Sequence, residues 1–359
     1  MDSKKQVITL GDVASYINGY AFKPDDRGTE GLPIIRIQDL TGSANDLGYY
    51  NGEYPKKIEI NNGDILISWS GSLGIYTWNN GKALLNQHIF KVEFDKVKIE
   101  KSYFVYAVQK KIEEMKTKTH GATMKHIVKK DFESTLIPFP SLKEQKEIAT
   151  KLDKIRAAIA RRKEELKLLD DLIKARFVEM FGDPINNDKG WKTASVESLC
   201  TEIYGGGTPS KAHPEYYKDG DIPWVSSKDM KCEVIKDSQI KINQLGVENS
   251  TARMVPVNSV IIVIRSGILK HTLPVAINAV PITINQDLKA FIPNELVLAK
   301  FLSVQFKMHE KDILSGVRAV TADNIEFNSL KQREMIVPPI ELQQQYDVFL
   351  SQVDKSRFV

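Results

Sequence analysis

Apolar residues recur in steps of three and four along one stretch of this 359-residue chain: Ile148, Leu152, Ile155, Ile159, Leu166, Leu169, Ile173 and Phe177. Arg162 fills the one slot where the pattern calls for another apolar side chain. Polar residues surround these positions, so the stretch predicts a helix with a single apolar seam, and Arg162 reads as a register-setting polar position within it. Pro138 and Pro140 precede the stretch, and neither Pro nor Gly interrupts it before Gly182-Asp183-Pro184, which supplies a stop. At ~1.5 Å per residue such a helix runs roughly 60 Å, longer than a small domain is wide. It reads as a spacer between two bodies, and its seam needs another helix to cover it.

Outside this stretch the period changes. Gly63-Asp64 leading into Ile65-Leu66-Ile67, and Asn258-Ser259 leading into Val260 to Ile264, are turn-then-buried-strand signals, and Ile89 to Phe94 alternates as a strand does. Ser102 to Lys116 predicts a helix with Phe104, Val105, Val108, Ile112 and Met115 on one face, and Asn294 to Lys311 is its counterpart. The counterparts extend along the chain in one order. INGYAF matches YGGGTPS, LPIIRIQDL matches IPWVSSKDM, and NNGDILISWSGSLG matches VNSVIIVIRSGILK. NQHIFKVEF matches NQDLKAFIP, GATMKHI matches GVRAVTADNI, and IPFPSLKEQKEI matches VPPIELQQQYDV. Six short matches in the same order indicate two copies of one mixed α and β unit. The second copy's helix begins near Glu341, with Val353 to Arg357 paralleling Leu152 to Arg156, and it is about half the length of the first.

Composition narrows the class. Hydrophobic content of 42% and charged content of 27% are ordinary for a globular chain of two or three domains. No apolar run approaches the ~18 residues of a membrane span and MDSKKQ is not a signal-peptide pattern, so a cytoplasmic protein with no membrane contact is expected. Cys200 and Cys232 form no CxxC, and the six histidines show no HExxH, so no metal site is expected. Net charge is +4, too weak to establish nucleic-acid binding by itself. A local cluster of Lys110, Lys111, Lys116, Lys118, Lys125, Lys129 and Lys130 is either a solvated helix face or a phosphate-positioning patch.

Candidate chemistry lies in the matched loops. Gly205-Gly206-Gly207-Thr208-Pro209-Ser210-Lys211 lacks the GxxxxGK[ST] spacing of a phosphate loop, and no GxGxxG in a βαβ context, no nuclease-like Asp…Glu-x-Lys set after a strand and no methyltransferase-like set is found, so no catalytic residue is assigned. The loops after the paired strands carry Trp69, Ser70 and Ser72 in one copy and Arg265, Ser266 and Lys270 in the other. Gly permits close backbone approach there, while Ser, Arg and Lys donate to phosphates and base edges; the bland alternative is a surface turn. Gln87 and Gln286 are equivalent amides, suited to adenine or to a polar network that fixes the strand. Lys125 and His126, with Arg318 and Thr321 as counterparts, occupy a further matched loop. Thr208, Ser210, Lys211 and Lys228 complete the candidate DNA contacts.

Taken together, the doubled proline-led helix entry, the paired motifs DILISWSGSLG and SVIIVIRSGIL, the NQ-strand motif and ARFVEMFGDP between the copies resemble the specificity (S) subunit of type I restriction–modification systems. The resemblance covers essentially the whole chain. It implies an α+β protein with two target-recognition domains, 1–140 and 183–338, a spacer helix over 141–182 and a shortened helix over 339–359. It further implies duplex DNA as ligand, each domain reading half of a bipartite, asymmetric target. Modification (M) subunits would bind the helices, and a restriction (R) subunit would complete the complex. No cofactor is implied for this chain; S-adenosylmethionine, ATP and Mg2+ would belong to the partners. The rival reading is a coiled-coil scaffold whose two domains bind proteins. The short second helix departs from the family pattern and leaves ~30 Å of seam without cover. A second copy's helix or the M subunits are expected to supply it, or the chain is a shortened variant with impaired assembly.

Overall fold

The computed structural model describes residues 6–118, 128–319 and 323–357. They form two compact units, Met1–Arg161 and Arg162–Val359, and the division falls within the long helix. Each unit has its own core, and the two share one topology.

In the first unit an antiparallel sheet runs in the order Ser15–Asn18, Ile89–Glu93, Ile65–Ser68, Gly74–Thr77. A second sheet runs Gly48–Tyr50, Leu32–Ile35, Ala83–Leu85, Glu59–Ile60, with its two middle strands parallel. The second unit repeats both. Cys200–Gly205, Leu288–Pro293, Val260–Val263 and Val275–Asn278 form the first sheet, extended by Val234–Ile235. Ile240–Ile242, Ile222–Val225, Ile282–Ile284 and Met254–Val255 form the second. The strand made by Ile65-Leu66-Ile67 is buried on both faces, which is why it reads as an unbroken apolar run. Ile65 and Ile67 pack with Phe104, Val108 and Ile112 of helix Lys101–Lys118, while Leu66 faces Ile35, Ile60 and Leu84 of the second sheet. Val260 and Ile262, against Ile261 and Val263, divide in the same way. The counterpart of helix Lys101–Lys118 is broken into Ala299–Met308 and Glu310–Ser315 instead of running continuously from 294 to 311.

The long helix is one element of 40 residues, Leu142–Phe181, as its pattern requires. Ser141 and Glu144 cap its start, with the Ser141 amide and hydroxyl donating to Glu144 Oε2 at 2.9 and 2.7 Å. Gly182 ends it at φ 76°, where a Cβ would meet Asp188 Oδ1 at 1.9 Å. One buried glutamine then anchors each helix to its unit. Gln145 Oε1 accepts from the Glu100 amide and its Nε2 donates to Pro140 O; Gln343 accepts from the Leu298 amide and donates to Pro338 O and Leu296 O. This places Pro140 with Pro338 and Gln145 with Gln343, two residues away from the pairing that matches Ile137 with Val337. Val353 consequently corresponds to Ile155 and not to Leu152.

The C-terminal helix is Ile340–Ser356, 17 residues. Within the second unit it packs antiparallel on the last turns of the long helix. Tyr346 is fully buried against Phe177, Phe181 and Phe301, and its hydroxyl donates to Ile173 O at 2.9 Å. Arg162 reaches the other end, donating to Ser356 O and Arg357 O, which satisfies carbonyls that the helix end leaves open. Arg162 thus fixes where the second helix ends along the first, as a register-setting residue does. Phe177 is completely buried and Ile173 and Leu169 partly so. Ile148, Ile155 and Ile159 remain 38%, 55% and 53% exposed.

One pair of side chains is inverted between the copies. Lys129 Nζ lies 5.8 Å from the Phe90 ring centre in the first unit. In the second, Lys289 occupies the strand position of Phe90, and Phe327 opens the short helix as Lys129 does. Lys289 Nζ sits 4.7 Å from the Phe327 ring, so the cation–aromatic contact survives with its ends exchanged.

Candidate nucleic-acid interface

In each unit some of the loops that carry the sequence candidates come together beside the two sheets. In the first unit they line a cleft of about 390 Å3. One wall is the short helix Ile37–Thr41, whose start is fixed by the Arg36 amide donating to Asp39 Oδ2 at 2.8 Å. Arg36 itself is spent within the protein: Asp39 first, and then Asp46, hold its guanidinium charged, and its side chain is only 17% exposed. This wall presents Gln38 and Thr41, with Thr41 Oγ1 and Ser43 Oγ 2.8 Å apart. The opposite wall is the loop carrying Ser70 and Ser72, pinned where Ser68 Oγ donates to Ser72 O. Gln87 lies between them, its backbone amide donating to Asn86 Oδ1 and Tyr20 O while its side chain stays exposed. His88 follows at φ 72°.

Trp69 does not itself line the cleft. Its indole is half-buried, stacks on Phe90 at 5.6 Å, meets the ring of His88 edge-on at 4.9 Å and donates to Asn18 Oδ1. Ser70, Ser72 and Gln87 are brought together. Gln38, Thr41, Ser43 and Asn86 join them without having been singled out from sequence. The match of LPIIRIQDL to IPWVSSKDM equates Gln38 with Lys228, and that was the available signal.

In the second unit the corresponding edge carries charge. The turn after Ile222–Val225 is again closed by a carboxylate, Asp229, which accepts from the Ser226 amide and hydroxyl and leaves Lys228 exposed. Arg265 Nε and Nη2 approach Asp287 Oδ1 at 2.7 and 2.6 Å, and Asn285 Nδ2 supports the other oxygen of Asp287 at 3.1 Å. Thr208 Oγ1 donates to Gln286 Oε1 at 2.5 Å. The Ser266 amide donates to Asp323 O, and Lys270 Nζ is 3.9 Å from Asp323 Oδ2. Lys289 stands near this group, and burial first, then the Arg265 charge, lowers its pKa.

Two aspartates that sequence did not single out therefore organise this loop: Asp287 through its carboxylate on Arg265, and Asp323 through its backbone carbonyl on Ser266 and its carboxylate near Lys270. Gln286 and Thr208 are coupled directly. Ser210 and Lys211 sit in an exposed turn, where Ser210 Oγ accepts from the Ala212 amide, and no hydrogen bond or ion pair among the described residues ties them to Arg265. The glycines before them serve packing: a Cβ on Gly206 would meet Ile284 O at 1.7 Å. Lys125, His126 and Thr321 lie outside the described residues, and of Arg318 only the backbone is described, pairing with Asn324 in a short strand.

In the lysine cluster Lys111 pairs with Glu114, and Lys129 lies near Glu133 while donating to Tyr16 O. Among the described residues no group of three or more His, Cys, Asp or Glu side chains converges to hold a metal, and no helix is long and apolar enough to cross a membrane.

The comparisons agree with this arrangement. The family model for the type I restriction modification DNA specificity domain matches residues 2–169 and again 188–358, once in each copy. The specificity subunit of the type I restriction enzyme EcoR124I/EcoR124II of Escherichia coli is 34% identical over 223 residues, covering 60% of this chain and 53% of the relative. The EcoBI specificity subunit of the same organism is 31% identical over 198 residues, covering 53% and 41%. The chain thus spans about half the length of the curated relatives it matches. A crystal structure of a type I restriction-modification S subunit from M. genitalium covers 99% of this chain and 91% of its own, with a TM-score of 0.59 and 14% identity, and shares the fold. The family match, to a DNA specificity domain, does not favour the protein-scaffold reading. By a family match that spans both copies, the chain belongs to the type I restriction modification DNA specificity domain family.

Proposed function

We propose that this chain is the DNA-reading subunit of a type I restriction–modification complex. Each unit takes one half of a bipartite, asymmetric duplex target, and the chain brings modification and restriction subunits to it. The observation that carries this reading is the same loop edge recurring on the same two-sheet frame in both units, where beside the equivalent amides of Gln87 and Gln286 the side chains differ: Gln38 and Ser72 in one, Lys228 and Arg265 in the other. A frame kept constant while its reading groups differ suits two different half-sites. Methyl transfer and cleavage, with S-adenosylmethionine, ATP and Mg2+, belong to the partner subunits, and this chain supplies none of that chemistry. The exposed Ile148, Ile155 and Ile159 supply an apolar face for the modification subunits.

The test is binding of the chain, assembled with its modification subunit, to a panel of duplexes over a range of salt. The expected result is a strong preference for one bipartite sequence. Log affinity should fall with log salt at a slope of roughly −0.9 per phosphate contacted. Equal affinity for every duplex would remove the recognition role.

A further inference from the structure

We propose that the two units read different bases: the amides of Gln38 and Gln87 select adenine in one half-site, and Arg265, held by Asp287, selects guanine in the other. The inference rests on the DNA-reading function above and extends it by assigning a chemistry to each unit.

In the first unit the cleft offers neutral groups. Gln38 and Gln87 are exposed, line the same cleft, and make no side-chain hydrogen bond among the described residues. The one guanidinium at that wall, Arg36, is already committed to Asp39 and Asp46. A carboxamide presents one donor and one acceptor on a single planar edge, which matches the N6 donor and N7 acceptor of adenine in the major groove. Guanine presents two acceptors there, N7 and O6, and would leave the amide oxygen facing another oxygen.

In the second unit the same positions differ in kind. Lys228 replaces Gln38, and the Gln286 oxygen is occupied by Thr208. Lys228 and Lys270 are exposed single-point cations, and Arg265, which is half-exposed, is the outward group with a planar fork of donors. Asp287 takes Nε and one side of Nη2, so Nη1 and the remaining Nη2 hydrogen point away from the carboxylate as a two-donor fork. That fork fits guanine O6 and N7. Asn285 holds Asp287 in turn, which makes Asp287 a positioning residue for the fork.

The experiment uses the chain assembled with its modification subunit. Mapping methylated adenines in DNA from cells expressing the complex gives the target. Duplexes of that target then carry 7-deazaadenine or 7-deazaguanine, one position at a time, each removing a single N7 acceptor. One 7-deazaadenine in one half-site is expected to weaken binding roughly 5- to 150-fold, and Gln38→Ala or Gln87→Ala should abolish that sensitivity. One 7-deazaguanine in the other half-site should behave likewise against Arg265→Ala, and Asp287→Asn should blunt the same sensitivity while Arg265 is still present. Glutamine variants that keep both the methylated sequence and the 7-deazaadenine sensitivity would overturn the assignment while leaving DNA reading intact. A wild-type complex that methylates without sequence preference would overturn both.

Discussion

His309 shows how the second unit stores a pH response in one ring. It is 3% exposed, its Nε2 meets no hydrogen-bond partner among the described residues, and Arg333 Nη1 stands 3.3 Å from Nδ1. Burial first, and the Arg333 charge second, push its pKa down to about 4 from an ordinary 6.5. The unfolded chain therefore takes up this proton before the folded one does. Its contribution is complete above pH 6.5 and is lost as pH falls from there towards 4. The second unit's unfolding temperature is expected to drop over that window, and His309→Gln should flatten the drop when the two proteins are compared at each pH. The same scale explains what sequence withheld at the DNA edge. Arg265, Gln87 and Gln286 were legible as polar side chains of the loop edge, because loops beside matched strands collect such groups. Asp287 was not, since only the antiparallel register of Val260–Val263 with Leu288–Pro293 carries it to the Arg265 guanidinium.

Among the elements, the long helix was the most legible, because no Pro or Gly breaks its run and its apolar steps hold over many turns. Its entry was less so. Two proline-rich strings can be slid past each other by two residues with little change in similarity, and the buried amides of Gln145 and Gln343 decide the register instead. The seam divides into two parts with different fates. Ile173 and Phe177 pack in the second unit's core and Leu169 is half-buried, whereas Ile148, Ile155 and Ile159 face solvent beside Lys151, Lys154 and Arg156. Ile155→Glu with Ile159→Glu should leave the chain's own stability within about 0.5 kcal/mol of the wild type, as expected for exposed positions. The same pair should reduce co-purification with the modification subunit on size-exclusion chromatography. A variant that unfolds, or that assembles normally, would remove the partner role of this face.

At the scale of the whole molecule, two cores predict two unfolding events. Calorimetry of the chain should resolve a transition for each unit. Gln145→Ala should lower only the first unit's transition and Gln343→Ala only the second's, each by roughly 1–3 kcal/mol, because each leaves a buried amide and carbonyls without partners. The duplication itself was readable from the order of six matched segments. What a linear match could not supply was compensation between segments far apart in sequence, and the exchanged cation–aromatic pair is the clearest case. It bears on how such proteins diversify. Transplanting Phe327–Lys331 alone into the first unit would set one ring against another at Phe90 and discard the cation, and the reciprocal transplant would face Lys129 with Lys289. A fragment therefore arrives without its complement. The heritable module is the entire unit, and recombination that trades complete units can bring in a new reading edge while every internal pair travels with its mate.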